Sequence, residues 1–262
     1  MFRNQYDTDI TTWSPQGRLY QVEYAMEAVK QGSATVAIKS KTHAVVASLK
    51  RAPQADLASF QSKSFPISQN CGMAISGLIS DARVLARYMR TECMNYEFMY
   101  GSVMPIGTLL SNVADKCQHS TQSSARRPFG VGALVIGSDD AGVHLYQTCP
   151  SGNVYAAKAA GIGARSQSSR TYLERHYETF PSLSLEELIP HALKALATTC
   201  SEGIKLTPQN TSIAVVGLGL DFTEYDEAQS GSWLSRVTLR PEDRVADVAD
   251  EAPEAEAFPA TD

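Results

Sequence analysis

Three blocks of β-type sequence are separated by two pairs of helical patterns, and few architectures accept that order. In the first block ATVAIK and HAVVASL flank a short polar stretch and read as a hairpin. KSFPIS and CGMAISG read as a second pair, with Pro66 placing the former at an edge or bulge. In the second block FGVGALVIG and VHLYQT meet through SDDAG, a strong hairpin signal, and VYAAKA follows as one short strand. SIAVVGLG and DFTEYD form the last pair. Between the blocks, helices are expected over about 80–100, from Pro105 onward, over about 163–178 and over about 184–200. Ser80-Asp81 is the expected cap of the first, and Ser184 with Glu187 gives a capping box for the last. Pro190 falls inside that last helix, where it should weaken or kink it. Tight turns make paired strands antiparallel, and helices arriving in pairs must cover sheet faces. The predicted class is therefore α+β, a four-layer α–β–β–α sandwich.

One helical pattern stands apart, ahead of the first strand. Ser14-Pro15-Gln16-Gly17 has the preferences of a type I turn, Leu19, Val22, Met26 and Val29 recur at helical spacing, and Gly32 supplies the expected stop. A helix over about 18–31 before the first strand needs a partner or a purpose.

Composition excludes several classes. The 262 residues, 43% apolar, can bury a full core, and no run of 18 apolar residues is present to cross a bilayer. The start, MFRNQYDTDITTW, has no apolar secretory core, so an intracellular setting is expected. Cys71, Cys93, Cys117, Cys149 and Cys200 are scattered without a C-x-x-C pair, which argues against a disulfide framework or a zinc site; no cofactor is expected. Residues 242–262 hold eight acids against Arg244, leaving that stretch at −7 of a total of −5, so residues 1–241 come to +2. A body so nearly neutral does not suggest nucleic-acid binding, and the acidic tail cannot bury enough apolar surface to fold.

Candidate chemistry is sparse. GIGARS, from Gly161 to Ser166, could cradle a phosphate at a helix start, but the third glycine is missing and a plain helix-opening turn is the stronger expectation. Cys149 could pair with a histidine, yet free cysteines are usually small core residues, and Arg126-Arg127 reads as a solvated or interface pair. QGSATVAIK is more informative. A glycine and then a small hydroxyl residue at a strand start is how N-terminal-nucleophile hydrolases begin their mature chains, with the freed amine as base. Ser33 has 32 residues before it, so its nitrogen is an amide and cannot take the proton.

The run YDTDITTWSPQGRLYQVEYAMEAVKQGSATVAIKSKTHAVV resembles the signature of proteasome α-subunits. MFRNQYD, KSKTHAVV, RRPFGVG and GARSQSSRTYLERH resemble the type 1 branch of that family, and the similarity extends from Met1 to about Tyr225. The resemblance implies the sandwich already predicted, of the N-terminal-nucleophile hydrolase type, and a non-catalytic chain. It would sit in a ring of seven different α-subunits, stacked on a ring of β-subunits within the 20S core particle, in cytoplasm and nucleus. As the near-neutral body and the lack of a long apolar run already suggest, no nucleic-acid or membrane partner is expected. The resemblance also supplies the early helix with a purpose, lying across the top of the sandwich where catalytic β-subunits have an open site. Alignment with a β-subunit start puts Ser33 at the nucleophile's place and Leu49 at that of the active-site Asp.

Further roles are carried over residue by residue. Tyr6, Asp7, Pro15 and Tyr24 match the cluster that holds the open gate, although Thr8 stands where the family usually has Arg. Gly32, Lys63 and Leu78 match the pocket where C-terminal tails of activators or regulatory particles dock. The implied organisation is a gate segment over 1–17, the sandwich over 18–240 and an acidic disordered tail over 241–262. Two rivals remain at this point: a hydrolase self-processed before Ser33, which Leu49 disfavours because it cannot orient a base, and a nucleotide-binding protein using GIGARS.

Overall fold

A computed structural model describes residues 5–51, 61–201 and 205–237. The expected tail over 241–262 lies outside the described residues, as do Met1 to Asn4 of the expected gate segment. The chain opens with α1 (Tyr20–Gln31) and then the hairpin β1 (Thr35–Lys39) and β2 (His43–Leu49). After it come β3 (Ser64–Ser68), β4 (Cys71–Gly77), α2 (Ile79–Tyr100), α3 (Ile106–Thr121), β5 (Val131–Asp139) and β6 (Gly142–Thr148). The chain continues with β7 (Val154–Ala156), β8 (Ala159–Ile162), α4 (Ser166–His176), α5 (Leu185–Ala197), β9 (Thr211–Gly217), β10 (Leu220–Glu224) and α6 (Glu227–Leu234). Two five-stranded antiparallel sheets result, ordered β10-β9-β2-β1-β8 and β3-β4-β5-β6-β7.

Side-chain alternation makes the four layers. Val36 and Ile38 of β1 pack with Leu188, Leu193 and Leu196 of α5, while Ala37 between them faces the other sheet. Across the sandwich, Met73 and Ile75 of β4 meet Leu85 and Met89 of α2, while Ala74 faces inward. Leu134, Ile136, Leu145 and Val216 close the space between the sheets. Central strands are therefore buried on both faces, which is why they read as nearly unbroken apolar runs. Each fully buried Leu or Ile contributes about 1.5–3 kcal/mol.

Four local expectations change. Helix α1 starts at Tyr20, because the Ser14 amide donates to the Arg18 carbonyl (2.9 Å) and the Arg18 amide to Ser14 Oγ (3.0 Å), tying Arg18 to the turn. Ser80-Asp81 does not cap α2. The N-cap is Leu78, and the Asp81 carboxylate is committed to Arg127 and the Gly130 amide. VYAAKA is two strands: β7 pairs with β6 in one sheet and β8 with β1 in the other, so the chain crosses between sheets at Ala157-Lys158. A sixth helix follows β10, closed by a capping box from Asp226 and Gln229. Other expectations hold. Pro66 lies on edge strand β3 at a register shift, the Ser184–Glu187 capping box opens α5, and α5 runs through Pro190. The bond Pro190 cannot donate would have ended on Glu186, in an exposed first turn where solvent can reach the carbonyl.

Candidate functional site

The site is built at one end of β4, where α1, β1 and the turn before α4 converge. Gly32 ends α1 with φ −64°, so the left-handed stop expected of it is absent. Its glycine identity comes from space: a Cβ there would lie 2.2 Å from the Gly77 amide nitrogen and 2.3 Å from Ser76 Oγ. Ser76 Oγ donates to the Val29 carbonyl (2.8 Å), and Val29 rests against Gly132 of β5. The helix is thus fastened across the ends of β4 and β5 by contacts that only small residues permit.

The GIGARS segment completes the fastening. Gly163 (φ +93°) presses on the Ser33 carbonyl and Ser76 Oγ, and the Ala164 amide donates to the Gly32 carbonyl (2.7 Å). Ser166 N–H returns to the Gly163 carbonyl (3.2 Å). One of these amides is spent on the end of α1 and the other within the turn, so the segment serves as the helix-opening turn and neither amide is left for a phosphate.

Ser33, beneath this junction, is 2% exposed, and among the described residues its hydroxyl has no hydrogen-bond partner. Its backbone continues into α1 on one side and β1 on the other, so no free amine exists there. Leu49, at the aligned position of the acid, packs in the apolar layer between the first sheet and α5. Cysteine chemistry is no substitute, because burial pushes the Cys93 and Cys117 thiols up to about 11. Ser33→Ala should leave every peptidase activity of an assembled particle unchanged and stabilise the chain by about 1 kcal/mol, by removing a buried unpaired hydroxyl. Loss of one peptidase activity with assembly intact would contradict it.

Gly32, Lys63 and Leu78 do come together. The Lys63 carbonyl accepts from the Ile75 amide (3.1 Å), Gly32 covers Ser76 and Gly77, and Leu78 follows, so all three lie along the last residues of β4. Leu78 is set by a carboxylate it does not touch. Asp81 holds Arg127 through two bonds (2.6 and 2.8 Å) and accepts from the Gly130 amide (2.9 Å), while the Gly130 carbonyl accepts from the Leu78 amide (2.9 Å). The Arg127 pairing, aided by the Gly130 amide, holds the Asp81 carboxyl below its usual range despite burial. Lys63 is 5% exposed, and among the described residues its ammonium has neither a carboxylate nor a hydrogen-bond partner. Burial, with the nearby Arg51 cation, lowers its pKa to about 8.

The gate set is only partly assembled. Tyr24 donates to Asp7 Oδ2 (3.2 Å), and Gln21 Nε2 donates to the Asp7 carbonyl. Pro15 stays in the turn closed by the Gly17 amide on the Ser14 carbonyl (2.9 Å), and Tyr6 makes no side-chain hydrogen bond among the described residues. Nothing local in the sequence marked Gln21 or Arg51.

A family model described as "Proteasome subunit" matches residues 29–216, and a second, for the N-terminal signature of A-type proteasome subunits, matches residues 6–28. The chain belongs to the proteasome α-subunit family. It is 51% identical over 243 residues to "Proteasome subunit alpha type-1" of Trypanosoma brucei rhodesiense, covering 93% of this chain and 91% of that one. It is 53% identical over 236 residues to the protein of the same name in Dictyostelium discoideum, covering 90% and 95%. It is 51% identical over 237 residues to "Probable proteasome subunit alpha type-6" of Schizosaccharomyces pombe, covering 90% and 87%. As an α-type subunit the chain is a non-catalytic component of the 20S core, where it assembles with other proteasome subunits for protein degradation. The sealed, unpaired Ser33 and the apolar Leu49 are the physical counterpart of that role.

Proposed function

We propose that this α-type subunit takes its place in a ring of seven different α-subunits stacked on a β-ring, in cytoplasm and nucleus. There it contributes to the substrate gate and receives the C-terminal tails of activators. Tyr6, Asp7, Pro15 and Tyr24 form its share of the gate, and Gly32, Lys63 and Leu78 form its share of a tail pocket. One observation carries the docking role: Lys63, an almost fully buried cation without a counter-charge among the described residues. Such a group is costly to keep and suits a ligand that brings its own negative charge, as a chain-terminal carboxylate does. Exposed apolar side chains support assembly: Phe98 is 92% exposed, and Met94, Met99 and Tyr100 stand beside it at the end of α2.

Reconstituted particles provide the test. With a single tail peptide, Lys63→Ala should lower binding at this subunit by about tenfold or more, a charge-assisted pair contributing about 1.5–3 kcal/mol. Lys41→Ala, in the turn between β1 and β2, should leave binding unchanged. Deleting residues 2–9 should modestly raise hydrolysis without activator. Equal binding by both lysine variants would remove the docking role, and an unchanged basal rate would remove the gate role.

A further inference from the structure

We propose that the tail pocket is a two-cation site, in which Arg51 at the rim selects tails carrying an acidic side chain within their last three residues. This rests on the docking role assigned to Lys63. The strand register places the two cations on the same end of the sandwich. Ser64, next to Lys63, bonds through its hydroxyl to Ser212 Oγ (2.8 Å), and Ser212 is the ladder partner of Ser48 on β2. Arg51 lies three residues beyond Ser48, just past the end of β2, with Lys50 N–H bonded to the Asn210 carbonyl (2.6 Å) to hold the chain on that course. From there its guanidinium reaches back to the Gln31 carbonyl (3.4 Å), the residue before Gly32.

The two cations differ in what they offer. Lys63 is buried and presents a point charge at depth, suited to a terminal carboxylate. Arg51 is exposed and spends one donor on Gln31, which leaves the rest of its planar fork for a second anion nearer the solvent. Among the described residues neither is paired with a carboxylate. Arg51 is also close enough for its charge to disfavour protonation of Lys63. A ligand with one negative charge leaves that repulsion half answered, whereas one with two charges, a residue or two apart, answers both cations.

Two photo-crosslinking peptides with free C-termini, differing only in Asp or Asn at the second- and third-last positions, test this on assembled particles. The yield on this subunit is read by mass spectrometry. The acidic peptide should label the parent about three- to tenfold more than the amide peptide, the range of one or two partly exposed ion pairs. Arg51→Gln should abolish that preference by lowering only the acidic peptide, and Lys63→Ala should reduce both. Equal labelling of the parent by both peptides, or equal losses in Arg51→Gln, overturns the selectivity of Arg51 while leaving the pocket standing. If Lys63→Ala leaves both peptides unaffected, the docking role falls and this selectivity with it.

Discussion

Gly32→Ala is expected to destabilise the chain by about 3 kcal/mol, at the upper end of overpacking effects. The added methyl would sit 2.2 Å from a backbone nitrogen, Gly77 N, which no side-chain rotation can move aside. It would also displace Ser76 Oγ, 2.3 Å away, from its bond to the Val29 carbonyl. The Ala164 amide, bonded to the Gly32 carbonyl, would follow. Gly17→Ala separates steric overlap from a general glycine effect. That residue has φ +75° but open space around it, so its cost is the left-handed backbone alone, about 1–2 kcal/mol. Urea denaturation of both variants, with incorporation into particles as a second readout, decides the matter. Equal midpoints would show that α1 is not fastened by this contact.

Lys63→Met should act in the opposite direction on stability while abolishing tail binding. The ordinary lysine value of 10.5 applies to the unfolded chain, and the folded value is about 8. Between those values the unfolded state binds more protons, so stability rises with pH from about 8 to about 10.5 and the full penalty applies below 8. At 1.36 kcal/mol per pH unit that penalty is about 3–4 kcal/mol. Methionine, close in length and uncharged, removes it. The variant should exceed the parent by that amount at pH 7 and by almost nothing at pH 10.5. A constant difference at both values would show that the gain comes from packing and not from charge.

Much of the fold was legible because its information is local. Turn residues such as Asp139, Asp140 and Gly142 mark the β5–β6 hairpin, and the Ser184–Glu187 box marks the start of α5. The split of VYAAKA was not, since Ala157 and Lys158 carry no turn signal and only pairing with β6 and β1 separates the halves. The sixth helix did leave a signal, Asp226 with Gln229, inside a stretch too short to show periodicity. The resemblance pointed to Gly32, Lys63 and Leu78, but their physics depends on residues far along the chain. Gly32 is required by Ser76 and Gly77, and Leu78 is positioned by Arg127 through Gly130. No local pattern could have reported that Lys63 is buried or that Arg51 stands near it.

The close seat of α1 on β4 also makes the helix a mechanical amplifier. It is held at its C-terminal end, beside Lys63 and Leu78, while Gln21 and Tyr24, which grip Asp7, lie toward the other end. From Tyr20 to Gly32 the helix spans roughly 18 Å, so a tilt of about 5° pivoting at Gly32 carries Tyr20 about 1.6 Å and Tyr24 about 1 Å. The Tyr24–Asp7 bond, at 3.2 Å, has only a few tenths of an ångström of slack before it ceases to be one. A small disturbance at the seat of the helix is therefore enough to make or break its grip on the segment that precedes it.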